Sequence, residues 1–425
     1  VRRVYFIRKS LFDTIVLNSM TNRHELFYNY LAQTSDFPLA LDIDRAEGIY
    51  LYGANGEKYV DMISGIGVSN AGHRHPHVLK AIHQQLDKYM HLMVYGEYIE
   101  TPQVKLAEAL VRETYKVSEN LIGLGELDNV YFTNSGAEAV EGAMKLAKRF
   151  TGRSEIISCF NAYHGSTQGA LSLAGAEFFK RNFRPLLPDV RHIRFGVLED
   201  LELITTQTAA IIIEVISGEA GVRVAEVAYH RALRARCNET GTLLIYDEIQ
   251  TGFGRTGTFW AFQGVGVAPD ILLCAKGMGG GMPIGAFIAP QSIMSVFKNN
   301  PILGHITTFG GHPVSCAASL ATLEVIQSEK LAESAIEKGQ QIRDHLQHSS
   351  IKEIRGKGLM LAVEFESFEV VKPIIDRAIL RGKQGTGVIT DWFLFCDNSM
   401  RIAPPLTIST EQITEACNII LEAID

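Results

Sequence analysis

Residues 242–285 read TLLIYDEIQTGFGRTGTFWAFQGVGVAPDILLCAKGMGGGMPIG, and this stretch decides the fold. Leu243–Tyr246 is a continuous apolar run of strand length that ends on the acidic pair Asp247-Glu248. Ile271–Cys274 is a second such run, ending just before Lys276 and a cluster of glycines. Unbroken apolar runs of this length are the signature of strands in a parallel sheet covered on both faces. Open α/β sheets place their ligand sites at the carboxyl ends of such strands. The Asp247 carboxylate and the Lys276 amine are therefore expected to meet in one crevice.

Those two side chains suit a particular chemistry. A lysine set on glycine-rich backbone can be desolvated, which lowers its pKa and makes its amine a nucleophile toward a carbonyl. A buried Asp needs a cationic or donor partner, and a protonated pyridine nitrogen is one. Pyridoxal phosphate offers both handles: an aldehyde for the lysine and a ring nitrogen for the aspartate. Read from these two residues alone, an ordinary buried ion pair between strands is equally compatible.

Outside this stretch the chain is ordinary in bulk. It has 425 residues, 46% hydrophobic and 20% charged, enough for a large core. The formal net charge is −7 with no basic blocks, so nothing points to nucleic acid or an anionic membrane surface. No apolar stretch approaches membrane-spanning length. The 6 cysteines are scattered, with no CxxC, and read as buried thiols of a reducing compartment, the cytoplasm. Residues 1–19 begin basic and turn apolar, but Arg8, Lys9 and Asp13 interrupt the run and no small-residue cleavage site follows. They are read as a poorly ordered extension ahead of a start at Met20.

Along the chain, 24–34 is read as a short helix or arm, and Asn55-Gly56 as a hairpin turn between two short strands. His73, His75 and His77 alternate in GHRHPHV, but on irregular chain such spacing fixes no ligand geometry, and no metal site is expected. Asn129–Thr133 is a strand, followed by Ser135-Gly136-Ala137-Glu138, which has capping-box spacing. The helix it opens would aim free N–H groups and its positive end at the sheet's ligand edge, an anion site; a plain capped helix is the alternative. Strands at Ile156–Phe160, Val190–Phe195 and Ala209–Val215 then alternate with helices at Ser166–Leu173 and Ala228–Asn238. This predicts an α/β fold with a doubly wound, mostly parallel sheet. From about Pro313 the pattern changes to long amphipathic helices and short strands. A smaller α+β domain is therefore expected from both chain ends (20–70 and 325–425) around a large domain at 71–324.

The segments DEIQTGFGRTG, AKGMGGGMPIGA and TFGGHP, with GHRHPHV, YFTNSGAEA, AYHGST, EVISGEAGV and RIAPPL, stand in an order and spacing that resemble the class III pyridoxal-phosphate aminotransferases of fold type I. The likeness runs from about Met20 to the C-terminus. It is strongest to the branch acting on acetylornithine, ornithine and 4-aminobutyrate.

The resemblance implies a role for each of several residues. Lys276 and Asp247 would be catalytic, Lys276 on the aldehyde and Asp247 on the ring nitrogen. Ser135, Gly136 and Ala137 would meet the phosphate. Tyr163 would lie against the ring with His164 behind it, and Gln250 belongs to the same cofactor-binding set. Thr308 resembles the threonine that reaches the cofactor phosphate of a neighbouring subunit, which implies a homodimer with shared active sites. Thr307 would lie toward substrate. Arg401 would bind a substrate carboxylate through two parallel hydrogen bonds. Glu219 would pair with it while an amine-ended donor is present and release it for a 2-oxo acid such as 2-oxoglutarate; a static Arg401–Glu219 ion pair is the other reading.

Two departures from the pattern bear on substrate. The branch usually has arginine after YHG, where this chain has Ser166, a neutral hydroxyl. In EVISGEAG, Val215 and Ser217 replace the common proline and glutamine. The expected reaction is ping-pong transfer of an amino group from a diamino acid or ω-amino acid to a 2-oxo acid. An aminomutase, racemase or decarboxylase would use the same lysine and aspartate, and a non-catalytic protein could keep the same fold.

Overall fold

A computed structural model describes residues 23–93, 96–115 and 126–425. The extension expected at residues 1–19 lies outside the described residues. After a short helix at Arg23–Tyr30, β1 (Ile43–Glu47), β2 (Tyr50–Gly53) and β3 (Lys58–Asp61) form an antiparallel meander. Gly56, at φ 93°, makes the turn between β2 and β3 that the Asn-Gly pair announces. Helices α1 (Pro76–Leu86) and α2 (Thr101–Tyr115) lead into the large sheet.

The large sheet is built from β4 (Asn129–Thr133), β5 (Glu155–Cys159), β6 (Val190–Ile193), β7 (Thr208–Glu214), β8 (Leu243–Asp247), β9 (Ile271–Cys274) and β10 (Gly285–Ala289). Its spatial order is β4-β10-β9-β8-β7-β5-β6. Only β10 runs against the rest, pairing antiparallel with both β9 and β4. Every residue of β7, β8 and β9 is buried, and the reason is visible in how their side chains alternate. Ala210, Ile212, Ile245, Ile271 and Leu273 pack on one face with Ala139, Val140, Ala143 and Met144 of α3 (Gly136–Thr151). Ile211, Ile213, Leu244, Tyr246 and Leu272 join the opposite core with Tyr229, Leu233 and Cys237 of α4 (Val227–Thr240). With both faces covered, neither set of alternating positions is free to be polar.

Past the large sheet come α5 (Pro313–Ser328) and α6 (Leu331–His345), then β11 (Glu353–Lys357), β12 (Met360–Glu364), α7 (Phe368–Leu380), β13 (Thr386–Ile389), β14 (Trp392–Phe393), β15 (Cys396–Ile402) and α8 (Thr410–Ile424). β13 pairs in parallel with β3, so the two ends of the chain share one four-stranded sheet. The other four strands form a separate sheet, β11-β12-β15-β14. Among the described residues, no helix is long and apolar enough to cross a membrane.

The three alternating histidines each meet a different carboxylate. His73 bonds Asp61 at 2.8 Å, His75 bonds Glu329 at 3.1 Å, and His77 bonds Glu324 at 2.7 Å. Pro76 starts α1, and the His75 side chain caps it by accepting the His77 N–H.

Candidate active site

The carboxyl ends of β7, β8 and β9 converge with the start of α3 on a cavity of about 740 Å³. Ser135, Gly136, Ala137, Tyr163, His164, Ser166, Glu219, Asp247, Gln250 and Lys276 all line it. These come from sequence positions over a hundred residues apart; the strand ends bring them together.

Asp247 closes β8 and is almost fully buried. Its Oδ2 lies 2.7 Å from His164 Nδ1, and its Oδ1 accepts the Ile249 N–H at 3.0 Å. Burial pushes the His164 imidazole down, but the hydrogen bond and charge of Asp247, with Glu214 behind, outweigh it and raise its pKa overall. The far nitrogen of His164, Nε2, is buried without a partner among the described residues.

Lys276 begins the short turn after β9 at φ 47°, a left-handed conformation that a non-glycine residue adopts only when its surroundings impose it. Its amine has no hydrogen-bond partner among the described residues and faces the cavity. Burial lowers its pKa, against the opposing pull of the Glu219 charge.

Ser135 is the extended N-cap of α3, and its side chain accepts the Glu138 N–H at 3.2 Å. The N–H groups of Gly136 and Ala137 bond no other backbone or side chain among the described residues and stand at the positive end of a sixteen-residue helix. Gly165 makes the approach possible: at φ 132°, a Cβ there would lie 2.8 Å from the Ala137 Cβ. The helix expected from Ser166 begins at Gln168 instead. Glu141 of α3 explains the shift, accepting Thr167 Oγ1 at 2.7 Å and the Gly169 and Ala170 N–H groups at 2.8 and 3.1 Å.

Arg401 stands behind Glu219. Its Nη1 and Nη2 donate to Glu219 Oε1 and Oε2 at 2.9 and 3.0 Å, with both side chains nearly buried. Burial would raise the Glu219 pKa, but the Arg401 charge outweighs it and holds the carboxylate below its usual range. Thr307 and Thr308 are not on the cavity wall. Thr307 Oγ1 accepts from Asn134 Nδ2 at 2.8 Å, next to the Ser135 N-cap of α3, while Thr308 is exposed. Ser166 Oγ lies 3.0 Å from the Tyr163 hydroxyl.

Two carboxylates of the site escaped the sequence reading. Glu214 sits beside Asp247 in strand register, accepts the Gly218 N–H at 3.0 Å, and is pushed up to about 7 by burial. Its signal was present, an apolar run ending on an acid as in β8. Asp391 Oδ1 accepts Arg401 Nε at 2.8 Å and follows no such pattern.

The aminotransferase class-III family model matches residues 30–424. The chain belongs to the class-III aminotransferases. Among relatives of this aminotransferase, the acetylornithine aminotransferase of Methanocaldococcus jannaschii is 38% identical over 386 residues, 88% of this chain and 90% of that protein. The [LysW]-aminoadipate semialdehyde/glutamate semialdehyde transaminase of Sulfolobus acidocaldarius is 36% identical over 391 residues, 90% of this chain and 95% of that one. The ornithine aminotransferase of Toxoplasma gondii superposes with a TM-score of 0.85 at 29% identity, covering 98% of this chain and 96% of that one. That structure reveals partial occupancy of pyridoxal phosphate at its active site. Class-III aminotransferases use pyridoxal phosphate, and the cavity fits it. A lysine amine with no partner among the described residues, a buried carboxylate and a helix N-terminus with free N–H groups supply one match each for aldehyde, ring nitrogen and phosphate.

Proposed function

We propose that this aminotransferase moves the terminal amino group of a diamino acid or ω-amino acid to a 2-oxo acid, with 2-oxoglutarate as acceptor, by a ping-pong mechanism. The two-point Arg401–Glu219 pair beside the Lys276 amine carries this reading. One pocket must take, in turn, a donor with no carboxylate at its reacting carbon and an acceptor that has one. A buried arginine already matched to a carboxylate suits the first, and an arginine whose carboxylate moves aside suits the second.

Bound pyridoxal phosphate supplies an aldehyde for amine exchange and an electron sink for the carbon that loses its proton. Asp247, oriented by His164 and the Ile249 N–H, would hold a proton at the ring nitrogen. The Gly136 and Ala137 N–H groups, with Ser135, would hold the phosphate. Gln250 and Tyr163, on the same cavity wall, would border the ring. Lys276, its pKa lowered by burial, takes a proton from the substrate carbon and returns one in the next step. Ser166, tied to the Tyr163 hydroxyl, offers the far end of the donor hydrogen bonds and no positive charge.

The exposed Thr308 supports a homodimer in which this residue reaches the cofactor phosphate of the neighbouring subunit and Thr307 lies toward substrate. All 6 cysteines are free thiols, which supports a reducing compartment, the cytoplasm.

The test is a panel of ornithine, acetylornithine, lysine, 4-aminobutyrate and β-alanine against 2-oxoglutarate and pyruvate. Terminal amines should load the enzyme, and the loaded form should give up its amino group only when a 2-oxo acid is added. If α-amino groups load faster than every terminal amine, the reading is wrong.

A further inference from the structure

Arg401 is gripped along two separate edges. Its Nη1–Nη2 edge faces Glu219 and its Nε–H donates to Asp391 Oδ1 at 2.8 Å. The remaining contacts are weaker: Nη2 to the Trp392 carbonyl at 3.3 Å, and the guanidinium plane over the Phe393 ring at 4.4 Å. The backbone sets Asp391 in place, since its carbonyl accepts the Arg401 N–H at 2.8 Å, and Thr390 Oγ1 donates to the Arg401 carbonyl at 2.5 Å. Asp391 is not part of the cavity wall.

We propose that Asp391 is a positioning residue for the acceptor half of the reaction, keeping Arg401 aimed at the cavity after Glu219 has let go. This rests on the reading that Arg401 exchanges Glu219 for the carboxylate of a 2-oxo acid. The exchange takes place on the Nη edge. The Nε edge is not contested, so its bond persists through both halves, and a guanidinium fixed at Nε can only present its remaining N–H groups in one plane. Without Asp391, the donor half still has Glu219 to orient the arginine, whereas the acceptor half has only a 3.3 Å carbonyl contact and an aromatic face. The two half-reactions should therefore respond unequally to its loss.

The experiment uses holoenzyme and follows each half separately by single-turnover absorbance: 4-aminobutyrate or ornithine alone, then 2-oxoglutarate added to the amine-loaded enzyme. Asp391→Ala should raise the concentration of 2-oxoglutarate needed for half-maximal rate about tenfold more than it raises that of the donor. Asp391→Asn should recover most of this, because the amide oxygen still accepts the Nε–H. Parallel losses in both halves, an unchanged acceptor half, or no rescue by Asn would each overturn the proposal. Arg401→Ala run alongside separates the two readings. If it leaves the acceptor half untouched, the carboxylate-exchange reading falls and Asp391 falls with it. If it weakens the acceptor half while Asp391→Ala does not, only the role assigned to Asp391 is wrong.

Discussion

Glu219→Gln should change which amines this enzyme accepts. In the native site a donor that carries a carboxylate on its reacting carbon, such as glutamate, must displace Glu219 from Arg401. That means breaking two charge-assisted bonds, at 2.9 and 3.0 Å, between nearly buried groups. A hydrogen bond to a charged group contributes about 1.5–3 kcal/mol net. The glutamine amide keeps one neutral acceptor for Arg401 and loses the charge, so displacement should become easier by about 2–3 kcal/mol. That corresponds to a gain of roughly thirty- to a hundred-and-fortyfold in kcat/KM for glutamate in the donor half. Terminal amines should move the other way, because they would enter beside an arginine balanced by Asp391 alone. The assay is the absorbance change of holoenzyme mixed with each donor and no acceptor, with the ratio of glutamate to ornithine as the readout. A variant in which both donors weaken together, leaving that ratio where it was, would show that Glu219 and Arg401 are a fixed structural pair.

Other perturbations probe the floor of the cavity. Glu214 is pushed up to about 7 by burial, first of all, and by the neighbouring Asp247 charge. A carboxyl with a folded pKa above its unfolded one contributes stability below the unfolded value, near 4.5, that is lost as pH rises through about 7. Glu214→Gln should therefore have little effect at pH 4 and stabilise the protein at pH 8 by at most roughly 3 kcal/mol in denaturant melts; equal effects at both pH values would show that no buried, titrating carboxyl is at work. Gly165→Ala places a methyl 2.8 Å from the Ala137 Cβ at φ 132°. It should cost about 2–4 kcal/mol of stability and weaken retention of pyridoxal phosphate, read by unfolding and by cofactor titration. Ser166→Arg puts a cation on the cavity wall beside Tyr163 and should lower KM for donors with a distal carboxylate, acetylornithine included; unchanged kinetics would mean that position 166 does not face that group.

How much of this was legible in the chain depends on how far apart the determining residues lie. The strand ends were legible because each is local: an unbroken apolar run reports a two-sided burial, and its last residue falls at the ligand edge. Asp247 and Lys276 follow from that rule alone, and so does Glu214, which ends the run Ala209–Ile213 and pairs in register with Asp247. The Ser135 cap was legible because Ser135 and the Glu138 N–H it accepts lie within one turn, but the reciprocal half of the capping box does not form: the Glu138 carboxylate accepts the Asn134 N–H and Nδ2 at 2.9 Å instead of the Ser135 N–H. The partners of His75 and His77 were not, because Glu329 and Glu324 reach them only through the packing of α1 against α5. Asp391 was hidden more deeply. It lies ten residues from Arg401 across an irregular hairpin whose register shifts between Trp392 and Phe393, and that shift decides what faces the guanidinium. A residue motif can state that an arginine binds a carboxylate; only the register states which second carboxylate holds the arginine still. Substrate preference in this fold should therefore vary most at such register-dependent positions, while the lysine and aspartate at the strand ends stay readable from the pattern of their own strands.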